Sequence, residues 1–384
     1  MKLVYLWYYL GAGVYLTYVA LYLRSIHLSG VEIGLLTSMV PLAGVVFQPV
    51  WGLLSDRYRW RKQLLALSLL SSALIAPGIA LAHSFASLFV LVVALAVALS
   101  PTIPLSDATT LEWLAEHGGS YGAVRIYGSV GFLVGSISAG RLLAVEGIHV
   151  LFPLYAFFLA GTFLVSLTAP VQSRQYACSP GGHHGSFRAV LSDRIVVGFL
   201  ALAGLGYATF AAYNTFFALY LHGIGASTTM IGLAVGAASV SELPVMALSG
   251  RVIARFGVKP LLLAGLGAAA TRWLFYGLLH DYRLVLVFQL LHGLSFAGFY
   301  VAGVTYIDRE VPAHLRSTGQ TLFYGATFGV GTVAGANVFG ALFDHVHAQG
   351  IFLIAAGFCA VTLAGMVVYL PSRRVMAERV RAEA

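Results

Sequence analysis

Long apolar stretches, cut by short polar turns, run the length of the chain. Twelve can be read: 3–24, 31–54, 63–83, 87–111, 122–144 and 148–169, then 195–222, 228–252, 259–280, 283–307, 316–341 and 349–370. As a helix rising about 1.5 Å per residue, each crosses a hydrocarbon layer of about 30 Å. The connections are short except for 170–194, which is polar and bears glycine and histidine. The pattern predicts an all-α integral membrane protein with twelve transmembrane helices in two six-helix bundles, residues 1–169 and 195–370. The loop 170–194 joins the bundles, and a basic tail at 371–384 follows them. No stretch is left over for a soluble catalytic domain.

Composition agrees with the pattern. The 384 residues are 59% hydrophobic and 9% charged, and the mean hydropathy is +0.87. The 43 glycines suit close helix packing in lipid. The first run is long and no small-residue cleavage site follows it, so it is expected to be a span rather than a removable leader. The net charge of +8 does not call for a nucleic acid. With the N-terminus placed inside, seventeen of the 22 Lys and Arg fall on the cytoplasmic side, three lie opposite, and Arg125 and Arg272 lie within runs. That is the positive-inside bias of a membrane protein, with both termini cytoplasmic. Cys178, in a loop, and Cys359, in the last run, are far apart in this topology, so no structural disulfide is expected.

The densest charge lies between the second and third runs, in Trp51-Gly52-Leu53-Leu54-Ser55-Asp56-Arg57-Tyr58-Arg59-Trp60-Arg61-Lys62. The stretch recurs between the eighth and ninth runs. Gly52 falls on Gly250, Arg57 on Arg255 and Arg61 on Lys259, a constant offset of 198 positions, while Asp56 falls on Ala254. A marker repeated at half the chain length implies two related halves. The motif G-x-L-x-D-R-x-x-R-x-K resembles the loop signature of the major facilitator superfamily, and so does its degenerate second copy. The resemblance implies that superfamily's fold, with Asp56 tying the loop to neighbouring helix ends and steadying the outward-open state. Arg59 stands where the usual pattern has glycine.

Ionisable and aromatic residues within the runs carry the candidate chemistry. In the first run Tyr8, Gly11, Tyr15, Tyr18 and Tyr22 share a face. Tyr8 and Tyr22 suit interfacial anchoring, and Tyr15 and Tyr18 suit either packing or a cavity wall. In the fourth run Pro101 and Pro104 predict a kink with exposed carbonyls just before Asp107, whereas Glu112 and Glu116 are expected to be solvated. The fifth run aligns Arg125, Ser129, Phe132 and Ser136 on one stripe beside Gly131, Gly135 and Ala139. Its Y-G-x-x-R-x-Y-G-S-V-G-F resembles the fifth helix of lactose permease and, more closely, of the phenylpropionate-permease-like branch. In lactose permease an acid eighteen residues before this arginine helps it grip the sugar. Asp107 stands eighteen residues before Arg125, and a purely structural ion pair is the alternative.

The lactose-permease pattern breaks elsewhere. Its sugar-stacking tryptophan is Phe132 here, its helix-ten proton-carrying glutamate is Ser295, and the lysine before its histidine is Gln289. Its helix-seven acid has no counterpart among Tyr207, Thr209, Tyr213 and Asn214. The segments around Glu242, Arg272, His292 and Arg316 resemble the phenylpropionate-permease-like branch instead.

The intramembrane charges are then Arg125 and Arg272 against Asp107 and Glu242, two of each sign. Such a set accepts a neutral solute directly, whereas an anion requires one acid to take up a proton. The expected function is proton-coupled symport of a small organic solute (sugar, nucleoside or aromatic acid) by alternating access around a midplane site. Glu242 is the expected proton carrier, Asp107 the second, and His292 the relay. Asp107, Arg125, Ser129, Phe132, Tyr15, Tyr18, Asn214, Arg272, Gln289 and His292 are the expected solute contacts. Gly52, Asp56, Arg57, Arg61, Gly250 and Arg255 form the conformational loop motif.

The proton gradient is the expected energy source, with no cofactor and no metal, because His183-His184 and His345-x-His347 lack further ligands nearby. The expected partners are the solute, protons and the lipid bilayer of the inner (plasma) membrane, and the expected state is a monomer. A proton-driven efflux antiporter for amphipathic compounds and a non-transporting membrane receptor stay open. An enzyme is not expected, since no P-loop, Ser/His/Asp set or metal-ligand motif is present.

Overall fold

The computed structural model describes residues 1–169, 187–312 and 315–370, and no strand occurs among them. Cys178, His183, His184 and the 371–384 tail lie outside the described residues. The order is α1 (Lys2–Ser25), α2 (Gly30–Tyr58), α3 (Arg61–Ala80), α4 (Phe85–Leu99), α5 (Thr102–His117), α6 (Tyr121–Glu146), α7 (Leu151–Ser166) and α8 (Phe187–Leu191). Then follow α9 (Arg194–Gly223), α10 (Thr228–Phe256), α11 (Val258–Leu278), α12 (Tyr282–Gln289), α13 (Phe299–Glu310), α14 (Arg316–Tyr324) and α15 (Thr332–Tyr369). In hydrocarbon a helix satisfies its own backbone, so apolar runs of this length have no competing local structure.

Among the described residues eleven helical segments are long and apolar enough to span a membrane. The last, Thr318–Tyr369, has 52 residues and leaves helical geometry at His347 (φ 59°), which separates the eleventh and twelfth expected spans. The connection expected there as a loop is therefore helical except at one residue. Residues 341–346 contain neither glycine nor proline, so nothing local stops the helix earlier.

Among the described residues two spans are broken by turn residues, and the eleventh carries a π stretch at Gly325–Gly331 between α14 and α15. Ser100 and Pro101 separate α4 from α5 at the expected kink. Two of the carbonyls there are closed. The Ser100 hydroxyl donates to the Val97 carbonyl at 2.8 Å, supplying the hydrogen bond Pro101 cannot, and Ser68 of α3 donates to the Ala98 carbonyl at 2.6 Å. In the tenth span, Leu290 and Leu291 interrupt the helix after α12, and a π turn at Leu294–Gly298 precedes α13. Such turns inside helices recur at functional sites.

The chain divides into two compact units, Met1–Gly181 with Asn214–Gly236, and Gly182–Tyr213 with Ala237–Ala384. In the first, α6 lies directly on α1. A Cβ at Gly131 or Gly135 would collide with the Leu6 and Leu10 carbonyls of α1. The small residues at these positions thus let two backbones touch. In the second unit α11 is central, burying Leu262, Leu266, Arg272, Trp273 and Tyr276 against α13 and α15.

The repeat seen in the sequence recurs in the turns. After α1, His27 N–H donates to the Arg24 carbonyl and Leu28 N–H to the Leu23 carbonyl; after α9, Gly225 and Ala226 do the same to His222 and Leu221. His27 (φ 66°) and Gly225 (φ 87°) both have positive φ, and they lie 198 positions apart. Ser29 then caps α2 through Glu32, and Ser227 stands in the equivalent place at the start of α10, accepting from Met230 N–H. Arg59 (φ 55°) caps α2, and Gly257 (φ 95°), again 198 positions on, precedes α11. The signature's usual glycine is therefore a backbone requirement, and Arg59 meets it against its own Cβ.

Candidate functional site

Each unit holds a polar cluster built around an arginine within its membrane-spanning segments. In the first, Asp107 of α5 accepts hydrogen bonds on Oδ1 from Tyr5 of α1 (2.5 Å) and Tyr121 of α6 (2.9 Å). Thr110, one helical turn after Asp107, donates to the Tyr5 hydroxyl at 3.4 Å. Arg125 of α6 donates to the Tyr9 hydroxyl at 2.6 Å and stands over the Tyr9 and Tyr5 rings, 4.3 and 5.7 Å from their centroids. Its guanidinium folds back over Gly128, where a side chain would collide with it and with Tyr9. Among the described residues no carboxylate comes within 4.0 Å of Arg125. The expected Asp107–Arg125 pairing is thus indirect: α1 inserts tyrosines between the two charges.

Ser129 and Phe132 follow Arg125 along α6, both half-buried. Tyr15 is buried and stacks on Tyr155 of α7, with ring centroids 4.8 Å apart. Tyr18 is sealed, and its hydroxyl donates to the Ser136 and Thr228 carbonyls, each at 2.9 Å. Tyr22, read as an interfacial anchor, is instead buried edge-on against Phe152. Asn214 is exposed.

Glu112 corrects the expectation of a solvated carboxylate. It forms an ion pair with Arg61 of the signature loop, and the two side chains are only 10% and 13% exposed. The two groups line a pocket of about 270 Å³ with Ala108, Leu111 and Ala115. Arg57 is exposed and lies over the Tyr58 ring, and Gly52 has no close neighbour. The Asp56 side chain lies outside the described residues. In the second copy Gly250 and Arg255 are exposed, and Lys259 donates to the Val367 carbonyl at 2.8 Å and to that of Leu370. A cation at those last carbonyls of α15 complements the helix dipole.

The second unit's cluster surrounds Arg272 of α11, which is fully buried. Its guanidinium donates to Ser295 Oγ (2.7 Å), Gln289 Oε1 (2.9 Å) and the Tyr276 hydroxyl (3.3 Å). The Tyr213 and Trp273 rings face it at 4.7 Å each. Tyr276 also donates to Gln289, whose Nε2 donates to the Tyr213 hydroxyl at 2.7 Å. Neutral acceptors and aromatic faces therefore solvate this buried cation, with no carboxylate in reach among the described residues.

His292, in the interrupted tenth span, lies between the Tyr213 and Phe296 rings and meets Glu242 of α10 through Nε2 at 3.1 Å. Beside this pair, Gly293 N–H donates to Ser241 Oγ at 2.8 Å, hooking α10 to the broken helix. His292 Nδ1 is buried without a partner. One proton shared between Nε2 and the Glu242 carboxyl satisfies this contact whichever of the two groups carries it. An imidazole and a carboxylate at this distance can exchange one proton.

The structure thus gathers Asp107 and Arg125 in one unit, and Glu242, Arg272, Gln289 and His292 in the other. Tyr5, Tyr9, Tyr121 and Tyr276 were missed as members. Spacing tied two of them to an arginine: Tyr121 precedes Arg125 by four residues and Tyr276 follows Arg272 by four, while Tyr5 and Tyr9 share a face of α1. That α1 would bring Tyr5 to Asp107 had no local signal.

Comparison with known proteins places this geometry. The model of the MFS_1 like family matches residues 1–354. Maltose permease of Geobacillus stearothermophilus is 32% identical over 348 residues, covering 89% of this chain and 86% of that protein. The probable 3-phenylpropionic acid transporter of Escherichia coli (strain K12) is 27% identical over 361 residues, 93% of each chain. The crystal structure of nucleoside transporter NupG aligns over 97% of this chain and 98% of its own with a TM-score of 0.88; at 19% identity this is a likeness of fold. With nearly the whole chain matched, the protein belongs to the MFS_1 like family of the major facilitator superfamily and is a multi-pass membrane transporter rather than an enzyme.

Proposed function

We propose that the chain is a proton-coupled secondary transporter that carries a small organic solute (a sugar, a nucleoside or an aromatic acid) across the inner membrane by alternating access. The observation that carries this reading is the Glu242–His292 contact, a carboxylate and an imidazole 3.1 Å apart within membrane-spanning segments. Ionisable groups there are costly and mark proton and substrate routes. The Glu242 side chain is 26% exposed and that of His292 9%. Glu242 is therefore the member that exchanges its proton with water, and His292 relays. Arg125 and Asp107, with Ser129 and Phe132, receive the solute in the first unit. Arg272 holds Gln289 and Ser295 on either side of His292.

The proton gradient supplies the energy, with no bound cofactor. The one-sided excess of Lys and Arg in the loops supports a topology with both termini inside, and we place the chain in the inner membrane as a monomer. The relatives named for maltose and 3-phenylpropionic acid support a small organic cargo.

Uptake into proteoliposomes under an imposed pH gradient tests this reading. Wild-type protein is expected to accumulate solute when the side of entry is acidic. Glu242→Gln is expected to lower gradient-driven uptake on the order of tenfold or more while solute exchange at equal pH persists. Unchanged gradient-driven uptake in Glu242→Gln rejects Glu242 as proton carrier. Solute movement only against an opposed proton gradient identifies an efflux antiporter.

A further inference from the structure

The two intramembrane arginines are in opposite states. Arg272 is finished: fully buried, with three neutral acceptors and aromatic faces around it. Arg125 is half-buried and has one hydrogen-bond acceptor, the Tyr9 hydroxyl. A guanidinium has five N–H donors, so most of those on Arg125 are unmet among the described residues. The nearby acid does not meet them. Asp107 is satisfied on Oδ1 by two phenolic hydroxyls, and one of these, Tyr5, puts its ring beneath Arg125. A partly desolvated cation with open donors is under-solvated, and a carboxylate supplies both the charge and the paired acceptors that a guanidinium fork fits.

We infer that the transported solute is an organic carboxylate with an aromatic or otherwise apolar body, its carboxylate held by Arg125 and its body lying along α6 toward Phe132. This rests on the transporter reading above and narrows it. Phe132 follows Arg125 by seven residues, two turns of the same face and about 10 Å along the helix. That length fits one ring joined to a carboxylate by a short alkyl chain. Neutral sugars and nucleosides offer Arg125 hydroxyl acceptors but neither the charge nor the paired oxygens of a carboxylate. The inference also fixes the electrical balance of transport: one carboxylate and one proton cross together with no net charge, whereas a neutral solute with one proton carries a positive charge.

The probes are phenylacetate, 3-phenylpropionate and 4-phenylbutyrate, each paired with its own amide, alongside a disaccharide and a nucleoside. Thermal stabilisation of the purified protein reads binding, and proteoliposome uptake reads transport under a pH gradient with and without an imposed potential. The acids are expected to stabilise the protein and to be taken up regardless of potential, with their amides at least tenfold weaker. Arg125→Gln is expected to lose the acid-dependent stabilisation, and Arg125→Lys, which keeps the charge and guards against misfolding, to retain part of it. Amides binding as well as acids, or no acid binding while Arg125 is intact, overturns the inference. Potential-dependent, proton-driven uptake of the disaccharide or nucleoside with the acids ignored also overturns it, yet leaves the symport reading standing. Acid uptake that needs Arg125 but ignores the pH gradient does the reverse, supporting the carboxylate and removing the proton coupling.

Discussion

Arg59 carries a full side chain in the left-handed backbone region, at φ 55° and ψ 37°. Its repeat partner Gly257 has φ 95° with no Cβ to accommodate. Arg59→Gly is therefore expected to stabilise the protein by about 1 kcal/mol, and Gly257→Ala to destabilise it by a similar amount. Thermal unfolding of the two purified variants checks both signs. Asp107 and Arg125 were both visible in the sequence, because charges inside apolar runs stand out. Their relation was not, because Tyr5 and Tyr9 come from a helix about a hundred residues earlier in the chain.

At the scale of elements, packing and helix breaks set the positions of these groups. The α1–α6 contact fixes Tyr5 and Tyr9 relative to Arg125, and it depends on Gly131 and Gly135 meeting the α1 backbone. Gly135→Ala is expected to cost about 1–3 kcal/mol through overpacking. Gly52→Ala, where nothing lies within 4 Å, is expected to show no packing penalty in the same denaturation assay. The break between α4 and α5 was legible from its prolines. The serines that close it were not, since Ser68 arrives from α3. Ser68→Ala leaves the Ala98 carbonyl without that donor and should lower stability by about 1 kcal/mol. The interruption of the tenth span had no proline to announce it. The arrangement around Gln289, Ser295 and Arg272 emerges only when α11 packs beside it.

At the scale of the molecule, the signature loop is fastened by the Arg61–Glu112 ion pair, which ties the start of α3 to α5. A double-mutant cycle with Arg61→Gln and Glu112→Gln is expected to give a coupling of about 2 kcal/mol. A coupling near zero would reduce the contact to a screened surface pair. The charge bias of the loops predicts both termini inside: a green fluorescent protein fused to the C-terminus is then expected to fluoresce and an alkaline phosphatase fused there to stay inactive, and the opposite pair of results reverses the topology.

By itself the sequence determined the membrane-spanning helices, the duplicated halves, the breaks at proline and the identity of the buried charges. Each follows from local chemistry: apolar length, turn residues recurring at one offset, missing N–H groups, and charges that hydrocarbon does not tolerate. Only the tertiary structure decided which charges meet. It placed tyrosines between Asp107 and Arg125, sealed Arg272 behind neutral acceptors, brought His292 to Glu242 and turned Glu112 from solvent to Arg61. Those outcomes depend on which helix faces lie against one another, and that is set by glycine contacts and helix interruptions far from the charges themselves.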